Sequence, residues 1–60
     1  MITRKTILAS DKFRLIYDCE NFQYCIIELT NPEMNLWQQV GQWYYTRSYA
    51  IKKYNNYLHG

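Results

Sequence analysis

The chain has 60 residues and a formal net charge of +2, with two cysteines and one histidine. A chain of this length forms a single domain, and folding hides only about 60% of the surface that the unfolded chain exposes. The mixed charges lack the concentrated basic patch that is typical of nucleic-acid-binding domains. Two cysteines and one histidine are too few for a tetrahedral zinc site within one chain, so we expect no metal and no other cofactor.

The N-terminus and the short apolar runs predict a soluble, cytoplasmic protein. Arg4 and Lys5 are not followed by an apolar run of signal-peptide length, as an exported protein would require. No apolar run approaches the length of a membrane span, so no membrane partner is expected. Seven tyrosines and two tryptophans make the chain aromatic-rich, and such side chains are frequent at protein interfaces as well as in cores.

The first half of the chain predicts three antiparallel strands. Residues 13–19 and 22–29 each alternate in polarity with a period of two, as in a strand with one buried face. An earlier strand over residues 3–9 is expected to join them through Ser10 and Asp11. Its alternation is poor, so its register is left open.

Glu20 and Asn21 predict a two-residue hairpin turn between the second and third strands, because asparagine tolerates the left-handed backbone conformation. Directly opposed residues lie on one face, and the predicted pairs are Cys19 with Phe22, Tyr17 with Tyr24, Leu15 with Ile26, and Phe13 with Glu28. The opposite face is mixed but contains an apolar patch; its residues are Arg14, Ile16, Asp18, Gln23, Cys25, Ile27 and Leu29. The two cysteines therefore point to opposite faces, and we expect them to stay reduced.

From Pro32 onward the apolar period changes to that of a helix. Asn31 is a predicted N-cap, with Pro32 at the first helical position and Glu33 in the first turn. Apolar residues follow at three-to-four spacing: Leu36, Trp37, Val40, Trp43, Tyr44, Ala50, Ile51, Tyr54 and Leu58. This pattern predicts a helix over residues 32–58, in which Gly41 marks a kink or a close contact. The expected fold is α+β, with three antiparallel strands followed by one long C-terminal helix (βββα).

The length of the predicted helix indicates a function in binding. A helix over residues 32–58 is about 40 Å long, whereas a strand of eight residues spans about 26 Å. The apolar residues beyond the sheet need cover from a second copy, from a different protein, or from a bend at Gly41. We expect a small non-enzymatic protein-binding regulator or adaptor, for example an inhibitor of a larger machine. A homodimer is the expected oligomeric state. The predicted partner-binding residues are Tyr45, Arg47, Tyr49, Ile51, Lys52, Tyr54, Tyr57 and Leu58.

Several of these residues also have a simpler interpretation. Tyr45 and Tyr49, one helical turn apart, could merely stack on the helix surface, and Tyr54 suits a core position. Arg47 is expected either to pair with Asp18 or Glu20 or to contact a partner as an interface anchor.

The alternative function is nucleic-acid binding through aromatic residues of the sheet. If the helix covers the other face, Phe13, Tyr17, Phe22 and Tyr24 form a surface on which bases can stack. Arg14 could then contact phosphate. Packing in the core is the competing interpretation of these rings, so nucleic acid is the second choice of partner.

Catalysis has little support in the sequence. His59 lies next to the C-terminus, where chains are rarely preorganised. Asp18 and Glu20 lie at a predicted turn, and neither cysteine has a histidine nearby in sequence to activate it. We therefore expect no enzymatic activity and no small-molecule substrate.

Overall fold

The computed structural model describes residues 3–60 as a four-stranded antiparallel sheet followed by one helix. The elements are β1 (Arg4–Ala9), β2 (Phe13–Asp18), β3 (Gln23–Asn31), β4 (Leu36–Tyr44) and α1 (Arg47–His59). The strands lie in the sheet in chain order. The α+β class, with an antiparallel sheet before one C-terminal helix, is confirmed. The predicted number of three strands is wrong, because a fourth strand replaces the first half of the predicted helix.

The β2–β3 hairpin has the predicted register. The observed partners include Phe13 with Glu28, Leu15 with Ile26, and Tyr17 with Tyr24. Strand pairing ends at Asp18 and Gln23, so the turn comprises residues 19–22 rather than two residues. The left-handed position in this turn is Phe22, with φ 55°, and not Asn21 as its chemistry predicted.

β1 lies within the predicted range of residues 3–9 and pairs with β2. Its register shifts between Thr6 and Leu8 at a β-bulge, which explains the poor alternation in the sequence. Ser10 closes the connection to β2 as predicted: its backbone N–H donates to the carbonyl of Phe13 at 2.8 Å.

Residues 32–44, predicted as helix, form a turn and strand β4. The side-chain oxygen of Asn31 accepts a hydrogen bond from the N–H of Met34 at 3.3 Å, which is the bond that an N-cap makes. Asn35 then adopts a left-handed conformation with φ 53°, and a right-handed helix cannot continue through it. The capping pattern is real, but it closes the turn of the β3–β4 hairpin.

A bulge in β4 explains why its apolar residues follow helical spacing. Val40 pairs with Ile26, and Tyr44 pairs with Tyr24. The two-residue interval from Tyr24 to Ile26 on β3 therefore lies opposite a four-residue interval from Tyr44 to Val40 on β4. Val40 and Tyr44 both pack on the core side, and their separation of four residues is also that of neighbours on a helical stripe.

Gly41 lies in this bulge and has φ 72°. A Cβ atom at this position would lie 2.9 Å from the hydroxyl oxygens of both Tyr44 and Tyr57. The predicted helix kink is wrong, whereas the predicted close contact at Gly41 is found.

Helix α1 is 13 residues long and about 20 Å in length. The nine-residue strands β3 and β4 each span about 30 Å. The helix is therefore shorter than the sheet, and the predicted overhang of several turns is wrong. Within residues 3–60, no helix has both the length and the apolar character needed to cross a membrane.

The hydrophobic core lies between α1 and one face of the sheet, which we call the covered face. Its buried residues are Leu15, Ile26, Tyr44, Ala50 and Tyr54. The hydroxyl of Tyr54 donates a hydrogen bond to the carbonyl of Phe13 at 3.2 Å. The ring of Tyr57 lies against that of Phe13 at a centroid distance of 5.6 Å, so two successive turns of the helix attach to the start of β2.

Candidate interaction surface

The face of the sheet opposite α1 has no helix or strand above it among residues 3–60. Successive side chains of a strand point to opposite faces. Because Leu15 and Ile26 point toward the helix, the residues next to them in sequence point away from it. We call this second surface the open face. By register, it includes Lys12, Arg14, Ile16, Asp18, Gln23, Cys25, Ile27, Leu29, Trp37, Gln39 and Trp43, with Arg4 and Thr6 of β1.

The open face has a buried end and a half-exposed end. Ile16 and Cys25 are cross-strand partners, and they are only 8% and 2% exposed. Toward the β3–β4 turn, Ile27, Leu29 and Trp37 are half-buried, and Leu29 pairs directly with Trp37. Apolar surface is therefore concentrated at this half-exposed end.

Two polar groups hold Trp37 in place at the half-exposed end. The guanidinium carbon of Arg14 lies 4.2 Å from the centroid of the Trp37 ring, a cation–π contact worth about 0.5–1 kcal/mol at an exposed site. The indole N–H donates to the side-chain oxygen of Asn35 at 2.9 Å. Because the indole is already ordered, a partner that covers it loses less conformational entropy. Tryptophan and arginine are also enriched among the residues that dominate interface energies.

Asp18, at the other end of β2, has a structural role in the turn. Its carboxylate accepts hydrogen bonds from the side-chain amide of Asn21 at 3.0 Å and from the backbone N–H of Glu20 at 2.9 Å. The hydrogen bond from Asn21 is the main reason that the pKa of Asp18 is lowered, and burial partly opposes it. The residue opposite Asp18 is Arg4. Arg47, its predicted partner, instead begins helix α1 and is exposed.

The two cysteines are free, as predicted. Cys25 belongs to the open face, and Cys19 lies in the turn after β2. Burial raises the pKa of the Cys25 thiol, which is the opposite of the shift that makes a thiolate nucleophilic. Cys25 therefore serves as a small apolar residue at the buried end of the open face.

The predicted partner-binding residues do not form one continuous surface. Tyr54 is 3% exposed and belongs to the core, so a partner cannot reach it, and Ile51 packs against the same core. Tyr45 is 75% exposed but precedes the helix, so it is not one helical turn from Tyr49. The remaining residues, Arg47, Lys52, Tyr57 and Leu58, are exposed along α1.

Tyr49 makes local contacts at the start of the helix. Its ring meets that of Tyr44 edge-on at a centroid distance of 5.6 Å. The ammonium of Lys53 lies 5.3 Å from the centroid of the Tyr49 ring. The Tyr49 ring therefore makes contacts within its own domain with both Tyr44 and Lys53.

The aromatic residues of the nucleic-acid alternative lie mostly on the covered face. Phe13 and Tyr24 pack against the core beneath α1, and the rings of Tyr17 and Tyr24 are 4.8 Å apart. Phe22 is 71% exposed but lies in the turn, and Arg14 points to the opposite face. The helix thus covers the face that base stacking would need to be open.

Sequence reasoning missed Trp37 as a surface residue because it assigned residues 36–40 to a helix. Ile27, Leu29 and Arg14 were placed correctly on the second sheet face. The signal for β4 was available in the chain: no charged residue occurs between Glu33 and Arg47, whereas the exposed side of a helix is normally charged.

The part of the chain that the structure describes offers no other kind of site. Residues 3–60 form no detectable pocket. They also contain no group of three or more histidine, cysteine or acidic side chains that could hold a metal ion. The chain matches no protein-family model, no curated protein and no solved structure.

Proposed function

We propose that the chain is a small non-enzymatic regulator or adaptor that binds another protein through the half-exposed end of the open face. The observation that carries this proposal is the position of Trp37, which is half-buried beside Leu29 on a face with no layer above it. Burying apolar surface contributes roughly 25 cal/mol per Å². A partner that covers Trp37, Leu29 and Ile27 gains this free energy without having to order the indole.

The chemistry of the open face favours a protein over nucleic acid. Its half-exposed end carries two cations: Arg14, which already lies over Trp37, and Lys12, which lies opposite Leu29. The neighbouring strand β4 contains no charged residue. Because nucleic-acid affinity depends mainly on cations that neutralise phosphates, this end offers little of the required attraction.

The shape of the molecule also favours a protein over a small ligand. Small-molecule sites are concave and enclose most of their ligand, and residues 3–60 provide no such pocket. An open sheet face with an aromatic anchor is the kind of surface that a second folded domain can match. The open sheet face and the lack of a pocket in residues 3–60 support a role in protein binding and give no reason to assign catalysis.

The test is affinity capture from a lysate of the native host with three immobilised proteins: the wild type, Trp37→Ala and Tyr45→Ala. Tyr45 is the matched control, because it is an exposed aromatic residue that lies off the open face. We expect one saturable protein partner whose affinity falls about 30-fold with Trp37→Ala, as for an interface residue worth about 2 kcal/mol, and is unchanged with Tyr45→Ala. Circular dichroism checks that both variants are folded.

Two other results would contradict the proposal. A partner lost with Tyr45→Ala but kept with Trp37→Ala would move the binding surface to the start of α1. Capture that disappears after nuclease treatment and falls steeply with salt would identify nucleic acid as the ligand.

A further inference from the structure

The two edges of the sheet differ in how well they are protected against pairing with another strand. Edge strands of monomeric proteins are commonly short, charged or bulged. β1 has all three features: it is six residues long, carries Arg4 and Lys5, and contains a bulge after Thr6. β4 is nine residues long and uncharged. Its own bulge follows Val40, whereas the second register shift, between Leu29 and Asn31, places the extra residue in β3. Residues 36–40 of β4 therefore contain no bulged residue of their own, and they form an unprotected edge.

Hydrogen bonding in the sheet shows which backbone groups of β4 point outward. The N–H of Leu29 donates to the carbonyl of Lys12 at 2.8 Å, so the backbone of Leu29 is directed toward the β2 side. Successive residues of an antiparallel strand direct their N–H and C=O groups to alternate neighbours. Trp37, the partner of Leu29, therefore directs its N–H and C=O away from β3. The same holds for Gln39, which is the partner of Ile27.

We propose that residues 36–40 of β4 pair antiparallel with the same residues of a second copy, which joins the two sheets into one of eight strands. This dimer rests on the proposed function, because it places a second open face beside the first. Antiparallel self-pairing is isologous, so a two-fold axis relates the copies. Full overlap of residues 36–40 centres this axis on Gln38 and pairs Trp37 of each copy with Gln39 of the other.

The properties of β4 favour a second copy as the occupant of this edge. Like charges opposite each other destabilise a strand pair, and in this pairing none meet because β4 is uncharged. The outward N–H and C=O groups of Trp37 and Gln39 supply four hydrogen bonds that the two-fold axis makes self-complementary. By contrast, pairing through β1 would bring Arg4 and Lys5 of two copies together.

Joining the copies at β4 also enlarges the surface for a further partner. The half-exposed end of the open face borders β4, so the two ends become neighbours across the axis. A standard protein interface covers about 800 Å² on each side, which is a large share of the 4478 Å² surface of one copy. Two adjoining open faces, with one Trp37 on each side of the axis, provide such an area more readily than one.

The test is sedimentation equilibrium of the full chain from micromolar to millimolar concentration, with Gln39→Pro and Thr6→Pro as a matched pair. Proline removes an N–H donor, and at Gln39 that donor points outward. Thr6 is the equivalent position on the other edge: the N–H of Cys19 donates to the carbonyl of Thr3 at 2.7 Å, so by alternation Thr6 also points outward. We expect the wild type and Thr6→Pro to dimerise equally. Gln39→Pro should dimerise about 30-fold more weakly, because two symmetry-related hydrogen bonds are lost.

A wild type that stays monomeric throughout this range would overturn the inference, and so would a folded Gln39→Pro variant that dimerises as well as the wild type. These results are distinct from those of the capture experiment. If the chain is monomeric and still binds its partner through Trp37, only the β4 dimer is contradicted. If the chain forms the β4 dimer but captures no protein, only the proposed function is contradicted.

Disulfide cross-linking tests the same pairing without a proline. In the proposed register Gln38 lies opposite its own copy in a non-hydrogen-bonded pair, where the Cα atoms are about 4.5 Å apart and a disulfide can form. With Cys19 replaced by serine, we expect Gln38→Cys to oxidise to a covalent dimer and Gln42→Cys, beyond the paired residues, to remain monomeric. Equal cross-linking of the two variants, or none with Gln38→Cys, would overturn the inference.

Discussion

The covered face and the open face are built by the same strands from similar residues, yet they differ in what lies above them. On the covered face Leu15 and Ile26 are fully buried beneath α1. On the open face Ile27 and Leu29 have comparable side chains but are only half-buried. Residue type alone therefore does not distinguish core from surface in this chain. The difference indicates that apolar residues on the covered face serve stability, whereas those at the half-exposed end of the open face are available for binding.

The largest expected effect comes from removing a core side chain on the covered face. Leu15→Ala should lower the free energy of unfolding by about 3 kcal/mol, because it leaves a cavity where the side chain cannot be replaced by water. Ile27→Ala on the open face should cost about 1 kcal/mol or less, since this side chain is already half-exposed. Urea unfolding followed by circular dichroism measures both values. Equal losses would mean that the two faces do not differ in their contribution to stability.

Gly41 tests the bulge that ends the regular part of β4. Gly41→Ala should lower the free energy of unfolding by about 1–2 kcal/mol, because a side chain disfavours the left-handed backbone at φ 72°. The added Cβ would also crowd the hydroxyls of Tyr44 and Tyr57. Gln42→Ala, at an exposed neighbouring position, is the control and should change stability little. A Gly41→Ala variant as stable as the wild type would show that the left-handed conformation is not required.

Arg14 should affect stability less than it affects the order of Trp37. Arg14→Ala removes a cation–π contact worth about 0.5–1 kcal/mol, so chemical denaturation should detect only a small loss. Time-resolved fluorescence anisotropy of Trp37, in a Trp43→Phe background, should reveal faster motion of the indole. Arg47→Ala, which removes an exposed cation at the start of α1, should leave the anisotropy unchanged. An unaltered anisotropy in Arg14→Ala would mean that Arg14 does not order the indole.

The smallest effect concerns acid stability at the turn after β2. Hydrogen bonds, above all that from Asn21, lower the pKa of Asp18 in the folded state. The ionised carboxylate therefore contributes stability above its ordinary pKa, and this contribution is lost as the pH falls through the lowered value. The melting temperature of the wild type should decline in this acidic range more steeply than that of Asp18→Asn. Parallel curves for the two proteins would assign the acid sensitivity to other groups.

The strands β2 and β3 could be predicted from sequence because their alternation and their turn agree. Their register followed from the period of two, and the left-handed residue was misplaced by only one position, from Asn21 to Phe22. The second half of the predicted helix is also present, since Ala50 and Tyr54 form a helical stripe on the core. These are the segments in which local pattern and tertiary packing favour the same structure.

Strand β4 was missed because two local patterns favoured a helix there and outweighed the absence of charge between Glu33 and Arg47. Asn31 makes the hydrogen bond of a helix N-cap although it closes a turn here, and the bulge gives Val40 and Tyr44 helical spacing. The choice depends on Asn35 adopting a left-handed conformation and on β3 offering an edge, which is a tertiary effect. Ile27 and Leu29 were therefore recognised on the second face, whereas their neighbour Trp37 was assigned to a helical core.

The most direct test of the binding role of the open face is amide hydrogen exchange of the wild type with and without the captured partner. Binding should slow exchange in residues 36–40 and leave the amides of α1 unchanged. Exchange should also slow at the amides of Ile27 and Leu29, which pair with Gln39 and Trp37 at the same end of the open face. Protection confined to α1, with no change in residues 36–40, would contradict the assignment of function to the open face.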